Sequence, residues 1–494
     1  MKKMSFTKSL RVSLLAGAFI IPLISHNLYA AQTLTLEKAL EISMEKSPSI
    51  RQSRLNLKRS RASLDAARAR LKSKFSLSLT PLNYSNNRNF DDFSSTWYTK
   101  ETKQSSGRFT IEQPIKWTDG TLSLINRFSW RESYSSQVDK TDRTYTNDFY
   151  ISFQQPIFTY NRTKLELENL ELDLERNRLQ YIIQRLSLEK QVTEYFFDVY
   201  QTKKSLEIAE EDFKNKTDSY NIMKNKVEAG IGKKEDLYQA ELNMAKSKSE
   251  LQDRRVQLED ALDNFKKLLG ISIYDEISIA ADVSYIPVEV DLEKAIEHGM
   301  KNRMEIRQSK IEIKNAENDL IETSANNEFK GNIDLSYGST GMDEEFSNLY
   351  DSPDKDQQFR VTLEVPLWDW GEKESMIEAS KATIDSRKLD LENEKKDIMI
   401  GIRETYRNLQ NQVTQIEIAD QNVRLSRLTY EINLERYKNG DLTSKDLNDY
   451  QNQLSREKNS KISALIQYKL YILEMKIKSL WDFENNRSVL DQIQ

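Results

Sequence analysis

With 494 residues, 31% of them charged, and only 13 glycines and 8 prolines, the chain is too polar and too poor in breakers for ordinary globular domains; the bias suits long helices with narrow apolar seams. Its 22 Tyr, 18 Phe and 6 Trp argue against disorder along its length. The absence of cysteine excludes disulfides, a Cys-ligated zinc and a thiol nucleophile, and a formal net charge of −5 argues against nucleic acid as a partner.

The chain opens on a targeting pattern. Lys2, Lys3, Lys8 and Arg11 precede an apolar stretch from Val12 to Ile24, and LYA-AQ offers a cleavage point after Ala30. Residues 1–30 are expected to be a secretory signal peptide, outside the fold. Without them, 69 basic side chains face 78 acidic ones. No other stretch is long and apolar enough for a transmembrane helix, so residence in a membrane would need another route.

The remainder reads twice. LEKA at 36–39 returns at 292–295 and IRQS at 50–53 returns at 306–309, both 256 residues on, whereas Gly230/Gly440 and Asp236/Asp446 are 210 apart. Two tandem halves explain both intervals if the first carries about 46 residues that the second lacks.

In the first half, helices are expected over 31–74. At 75–157 the period changes to two. FSLSLT (75–80) alternates Phe75, Leu77 and Leu79 with Ser and Thr, and DFYISFQQPIF (148–158) puts Phe149, Ile151 and Phe153 on one face. Between them QPIK (113–116) precedes Trp117, a Thr-Asp-Gly turn at 118–120 and the alternating run TLSLINRFSW. This is the pattern of one extra hairpin, while 85–106 is polar and expected as loop. A long helical hairpin with its linker follows at 158–290. Val192, Val199, Leu206, Phe213, Tyr220 and Val227 recur every seventh residue up to Gly230, and Leu237, Met244, Leu251, Leu258 and Phe265 continue the period after it. That spacing predicts coiled-coil packing.

The second half repeats the scheme with helices at 291–330, strands at 331–367, a long hairpin at 368–481 and a tail at 482–494. NIDLSYG (332–338) and QFRVTLEVPLW (358–368) alternate, and 338–357 is expected as loop. QPIF and VPLW place Pro156 and Pro366 at the strand-to-helix junctions, where proline ends a ladder and suits a helix entry. Ile402, Leu409, Ile416, Val423, Tyr430 and Tyr437 form the seam up to Gly440, and Leu447, Leu454, Lys461, Tyr468 and Met475 form the return, with Lys461 the one break. Gly230 and Gly440 are expected to turn the hairpins in a left-handed conformation. Thr443 with Asp446 resembles a capping box.

In this order of elements the chain resembles the TolC family of bacterial outer-membrane efflux channels over about 34–481. The resemblance implies a homotrimer whose strands pool into one outer-membrane β-barrel in contact with lipid, above a periplasmic α-helical tunnel that narrows at the hairpin tips. It implies work with a periplasmic adaptor protein and an inner-membrane pump, in drug or small-molecule efflux or in type I protein secretion. By the same resemblance Asp446 and Asp449 would form an acidic pore ring, and Tyr437 would latch onto Asp236. An arginine that takes part in this family's latch is replaced by Leu442. Six strands per protomer, if the extra hairpin joins the barrel, would depart from the family's usual four.

The residues alone leave rivals open. Asp446 has a helix-capping reason to be there and Tyr437 a core one. The strands would also suit a half-buried soluble sheet, and the heptads a periplasmic or surface coiled-coil spacer or adhesin without a pore. Nothing reads as catalytic: the chain's second histidine, His298, is expected as a solvated helix-end residue, GIGKK (230–234) lacks the spacing and hydroxyl of a phosphate loop, and no cofactor or metal site is expected.

Overall fold

The computed structural model describes residues 32–281 and 283–492; the expected signal peptide at 1–30 lies outside them. The first half runs β1 (Gln32–Leu34), α1 (Leu36–Lys46) and α2 (Pro48–Arg70), then four strands, β2 (Lys74–Asp91), β3 (Thr96–Ile115), β4 (Gly120–Ser135) and β5 (Lys140–Ile157). The long hairpin α3 (Arg162–Glu228) and α4 (Lys234–Leu269) follows, then β6 (Ile277–Ile279), which pairs in parallel with β1. The second half has two strands fewer: α5 (Leu292–Asn302), α6 (Met304–Ser324), β7 (Lys330–Asp343), β8 (Asp354–Glu364), α7 (Glu372–Asn439) and α8 (Ser444–Ser479), closed by the pair β9 (Trp481–Asp482) and β10 (Arg487–Ser488).

α3 and α7 hold 67 and 68 residues, so each spans roughly 100 Å at ~1.5 Å per residue. Each starts on a side-chain cap. Asn161 Oδ1 accepts from the Lys164 amide at 2.7 Å, and Asp369 accepts from the amides of Gly371 and Lys373 at 3.0 and 3.3 Å. The heptad seams are where the helices meet: Val192, Val199, Ile402, Leu409, Ile416, Tyr430, Leu251, Phe265, Leu447, Leu454, Tyr468 and Met475 are all buried. Lys461, the break in the period, pairs with Asp420 of α7 instead.

Two of the buried apolar clusters tie the hairpins to their surroundings. At the waist, Leu188, Val192, Phe196, Val199, Phe265 and Leu269 pack with Ile50 and Leu34, and full burial of each large side chain stabilises the fold by about 1.5–3 kcal/mol. Near the corners, Met223, Ala240, Tyr430, Tyr437, Leu447 and Leu454 form a second cluster. Between the two levels polar side chains are buried beside the apolar ones, among them Asp212, Lys216, Asn243, Ser247 and Gln451. Across the bundle α3 and α8 pack centrally, α4 flanks α3 and α7 flanks α8.

At the other end, all six long strands form one antiparallel sheet in the order β2-β3-β4-β5-β7-β8. The extra hairpin, β3–β4, is therefore in the middle of the sheet. Two expected loops are not loops. Of 85–106 only 92–95 lies outside strands, and of 338–357 only 344–353 does. The ladder continues through polar pairs such as Asn86 opposite Glu101; with both faces polar there is no alternation to reveal it. Within the expected tail, the β9–β10 pair packs Val489 against Leu480, and both are buried. Trp481 stacks on His298 at 4.3 Å between ring centroids, so that histidine is half-buried rather than solvated. No described helix is long and apolar enough to cross a membrane.

Candidate functional site

The sequence-predicted residues converge where the two hairpins turn. Gly230 and Gly440 have φ of +78° and +93°. Backbone, not space, demands glycine here: a Cβ at Gly230 would meet nothing within 4 Å, and one at Gly440 only Lys226 Nζ at 3.9 Å. α7 ends in a Schellman turn, with the Asp441 amide donating to Arg436 O at 2.9 Å and the Gly440 amide to Tyr437 O at 3.1 Å. α3 ends likewise, with Ile231 donating to Lys226 O at 2.9 Å and Gly230 to Val227 O at 3.0 Å.

Tyr437 joins the two corners. Its ring is fully buried among Met223, Tyr430 and Leu447. Its hydroxyl lies 3.0 Å from Ser219 O on α3 and 3.1 Å from Ser444 Oγ, which in turn lies 2.9 Å from the backbone oxygen of Asp236. With two hydroxyl hydrogens for these three contacts, Tyr437 donates to Ser219 O and Ser444 donates to Asp236 O, while the two hydroxyl oxygens lie against each other. Tyrosine and aspartate are thus brought together, but through a serine and a main-chain oxygen. Burial raises the Tyr437 hydroxyl above its usual range, the Ser444 hydrogen bond opposes this, and the Asp236 charge adds to it. Tyr430 below it is pushed up to about 12 by burial, then by Asp212, Glu211 and Asp218. Both phenols therefore stay protonated.

Lys226 supplies the cationic part of the contact. From the last turn of α3 its Nζ donates to Tyr437 O at 2.5 Å and sits 5.4 Å from the centre of the Tyr437 ring. It thus satisfies a carbonyl at the C-terminus of α7, where a cation is favoured. Sequence reasoning missed both Lys226 and Ser444. The available signal was that Lys226 stands 210 residues before Arg436, a basic residue in the same last turn. Leu442 packs against the apolar cluster beneath.

Asp446 and Asp449 are exposed, three residues apart in the first turns of α8. The Asp446 amide donates to Thr443 Oγ1 at 3.2 Å, and Thr443 Oγ1 donates to Asp446 Oδ2 at 2.7 Å. The shorter Asp takes the side-chain hydroxyl in place of the backbone amide that Glu reaches in a capping box. An open cleft of about 520 Å³ separates the corners, bordered by Lys226, Lys233, Asp236, Lys438, Asp441 and Asp446. At the far end of the helices Pro156 is the second-last residue of β5, paired with Asn332, and Pro366 lies between β8 and α7. Among the described residues no three His, Cys, Asp or Glu side chains gather as a metal would require. The arrangement is an open cleft between two hairpin corners, lined by charges of both signs.

The sequence matches the family model described as outer membrane efflux protein over residues 39–271 and 300–471. Among solved structures the fold is similar to the CmeC outer membrane channel of Campylobacter jejuni, at 13% identity over 93% of this chain and 88% of that one, with a TM-score of 0.69. It is also similar to VceC of Vibrio cholerae, at 14% identity over 90% and 94% with a TM-score of 0.65. The MtrE outer membrane channel of Neisseria gonorrhoeae, in its open state, is similar at 14% identity over 90% and 88%, with a TM-score of 0.63. No curated protein matches the chain in sequence.

Proposed function

The chain belongs to the outer membrane efflux protein family, and from that premise we propose that it is the outer-membrane channel of a tripartite export system. In this reading it is a passive homotrimeric conduit for small molecules or polypeptides. A periplasmic adaptor and an inner-membrane pump deliver the cargo and open the tips.

The observation that carries the trimer is a pair of unpartnered helix faces, one on each flank. α4 exposes Tyr238, Leu242 and Val256, and α7 exposes Ile418, Leu425, Leu428 and Ile432, each set at three- and four-residue steps or their sums. Tyr238 follows Gly230 by eight residues and Ile432 precedes Gly440 by eight, so the stripes lie at one level of the bundle. Such a stripe on a soluble helix asks for a partner helix. In a ring, α4 of each copy meets α7 of the next.

Asp446 and Asp449 of three copies would then crowd carboxylates at the narrow end and favour cations. Tyr437, Ser444, Asp236 and Lys226 would hold the inner corner to the outer one. The test is single-channel conductance of the purified protein in a planar bilayer, against the double variant Asp446→Asn/Asp449→Asn. Small cation-selective currents that lose selectivity in the variant are expected. Unchanged selectivity would leave the channel but reduce these aspartates to helix caps, and no insertion by folded protein would return the reading to a coiled-coil spacer.

A further inference from the structure

The sheet has two open ends. β2 and β8 each pair on one side only among the described residues, and β8 is exposed at all eleven of its positions. Unpaired strand edges cannot lie in hydrocarbon, where every backbone polar group needs a partner.

The sheet also has two unlike faces, and both run through the extra hairpin. One cross-strand row reads Ser78, Arg108, Arg127, Asp148, Thr340, Asp354, a polar lining. The other face carries Phe75, Leu77 and Leu79 on β2, Phe109 and Ile111 on β3, and Leu122 and Leu124 on β4. It continues with Phe149, Ile151 and Phe153 on β5, Ile333, Leu335 and Tyr337 on β7, and Phe359, Val361 and Leu363 on β8. A plug or an appended domain would have no reason to keep this alternation in β3 and β4. A wall strand does.

The apolar band slants across the sheet. Straight across from Leu77, the centre of the band on β2, lies Lys355 on β8, whereas the centre of the band there is Val361. Six residues of slip over five strand steps, at ~3.4 Å per residue and ~4.8 Å per step, make a tilt of about 40°. Closed barrels have tilts of about 35–45°.

The helix side anchors the extra hairpin as firmly as the other strands. Asp119, in the β3–β4 turn, accepts from the Thr163 amide at 3.1 Å and contacts Arg162 Nε at 3.3 Å, so it caps α3. Asn161 Nδ2 donates to Lys116 O at 2.8 Å, and Gln155 Nε2 to Thr118 O at 2.6 Å. Trp117 of this turn stands exposed on the same side as Trp368 and Trp370 beyond β8, the level of an aromatic girdle.

We infer that three copies close one eighteen-stranded barrel, each giving all six strands, with the joint between β2 of one copy and β8 of the next. The inference rests on the trimeric reading above. With six strands per copy β2 and β8 run in opposite directions, so the joint is antiparallel like every other pair. Circumference agrees. Next to the sheet each copy presents four helices, α2, α3, α6 and α7, and twelve helices ~9–10 Å apart wrap roughly 115 Å. Eighteen strands at ~4.8 Å and ~40° tilt wrap roughly 110 Å. The chemical consequence is a wide, water-filled exit of porin-like strand number above a narrow acidic entrance.

The cysteine-free chain makes the joint testable by cross-linking in membranes. Leu77→Cys is combined in turn with Phe359→Cys, Val361→Cys and Leu363→Cys, a panel that covers a slip of two residues either way. A control pairs Tyr238→Cys on α4 with Ile432→Cys on α7. Separately, Ile111→Cys and Leu124→Cys are compared with Arg108→Cys and Arg127→Cys for labelling by a membrane-impermeant maleimide. Expected are covalent trimers from at least one β2/β8 pair and from the control, with labelling only at 108 and 127. Trimers from the control alone, or labelling of all four hairpin positions, overturn the eighteen-stranded barrel and leave the trimeric channel standing. Loss of trimers in the control as well overturns the trimeric reading itself.

Discussion

Asp212 and Lys216 stand one turn apart on α3, 2.9 Å apart, with side chains only 9% and 8% exposed. Lys216 also donates to Asn452 of α8 at 2.9 Å, and Gln451 donates to Asp212 O at 3.1 Å, so the pair ties the two hairpins together. Among the described residues Asp212 Oδ1 finds no hydrogen-bond partner. Burial raises the carboxyl above its usual range, the bond to Lys216 opposes this, and Glu250 of α4 adds to the rise. Removing the cation leaves a buried charge uncompensated, so Lys216→Met should cost about 3–5 kcal/mol near neutral pH. The pH dependence has a definite sign. An acid with a raised folded pKa favours the folded state below its unfolded pKa, and that contribution is lost as pH rises through the folded value. The deficit of the variant should therefore shrink on acidification. Melting temperatures of variant and parent in detergent, compared between about pH 8 and pH 5, check this. A deficit constant over that range would trace the loss to packing of the lysine stem.

Hairpins are joined at their corners by fewer contacts than join the helices within each hairpin. Lys226 to Tyr437 O is a charge-assisted bond, of the kind worth about 1.5–3 kcal/mol net. Lys226→Met should therefore shift the equilibrium between joined and parted corners about 10- to 100-fold, at ~1.4 kcal/mol per decade. In the channel reading this appears as longer and larger openings in single-channel records. Tyr437→Phe, which keeps the ring in its cluster and removes one neutral bond, should have the smaller effect. Equal or opposite effects would mean that the lysine does not bear the joint. Most of this element-level design is legible in the sequence. The seams show because a seven-residue period survives duplication, and the corners show because only glycine takes φ near +78° and +93°. Lys226 does not show, because its partner lies 211 residues away and a basic residue in a last turn is ordinary. Ser444 is hidden for a similar reason: small polar residues abound at helix starts. The distal strands are hidden because a ladder that is polar on both faces carries no alternation, so Ser85 to Asp91 and Thr96 to Ser106 read as loop. Strand number could be counted only from the pairing, where β3 and β4 fall between β2 and β5.

At the scale of the whole molecule, both ends of the chain's architecture are incomplete in the same lateral sense: an open sheet on one side and unpartnered helix stripes on the other. The two joints differ in what holds them. In the proposed trimer β2 against β8 would be a backbone ladder that side-chain changes barely touch, whereas α4 against α7 would depend on Leu425, Leu428 and Ile432 meeting Tyr238 and Leu242. Burying each such side chain contributes about 1.5–3 kcal/mol as an upper estimate, so Leu425→Asn with Ile432→Asn should weaken each of three joints by roughly 3–6 kcal/mol. The change falls on residues exposed within one copy, so the fold of the protomer should survive and its helical circular dichroism should stay. Expected, then, is a trimer in detergent that dissociates at a clearly lower temperature, with its tip half opened to protease before its barrel end. An unchanged dissociation temperature would mean that the stripes face water or a different protein in the assembled channel.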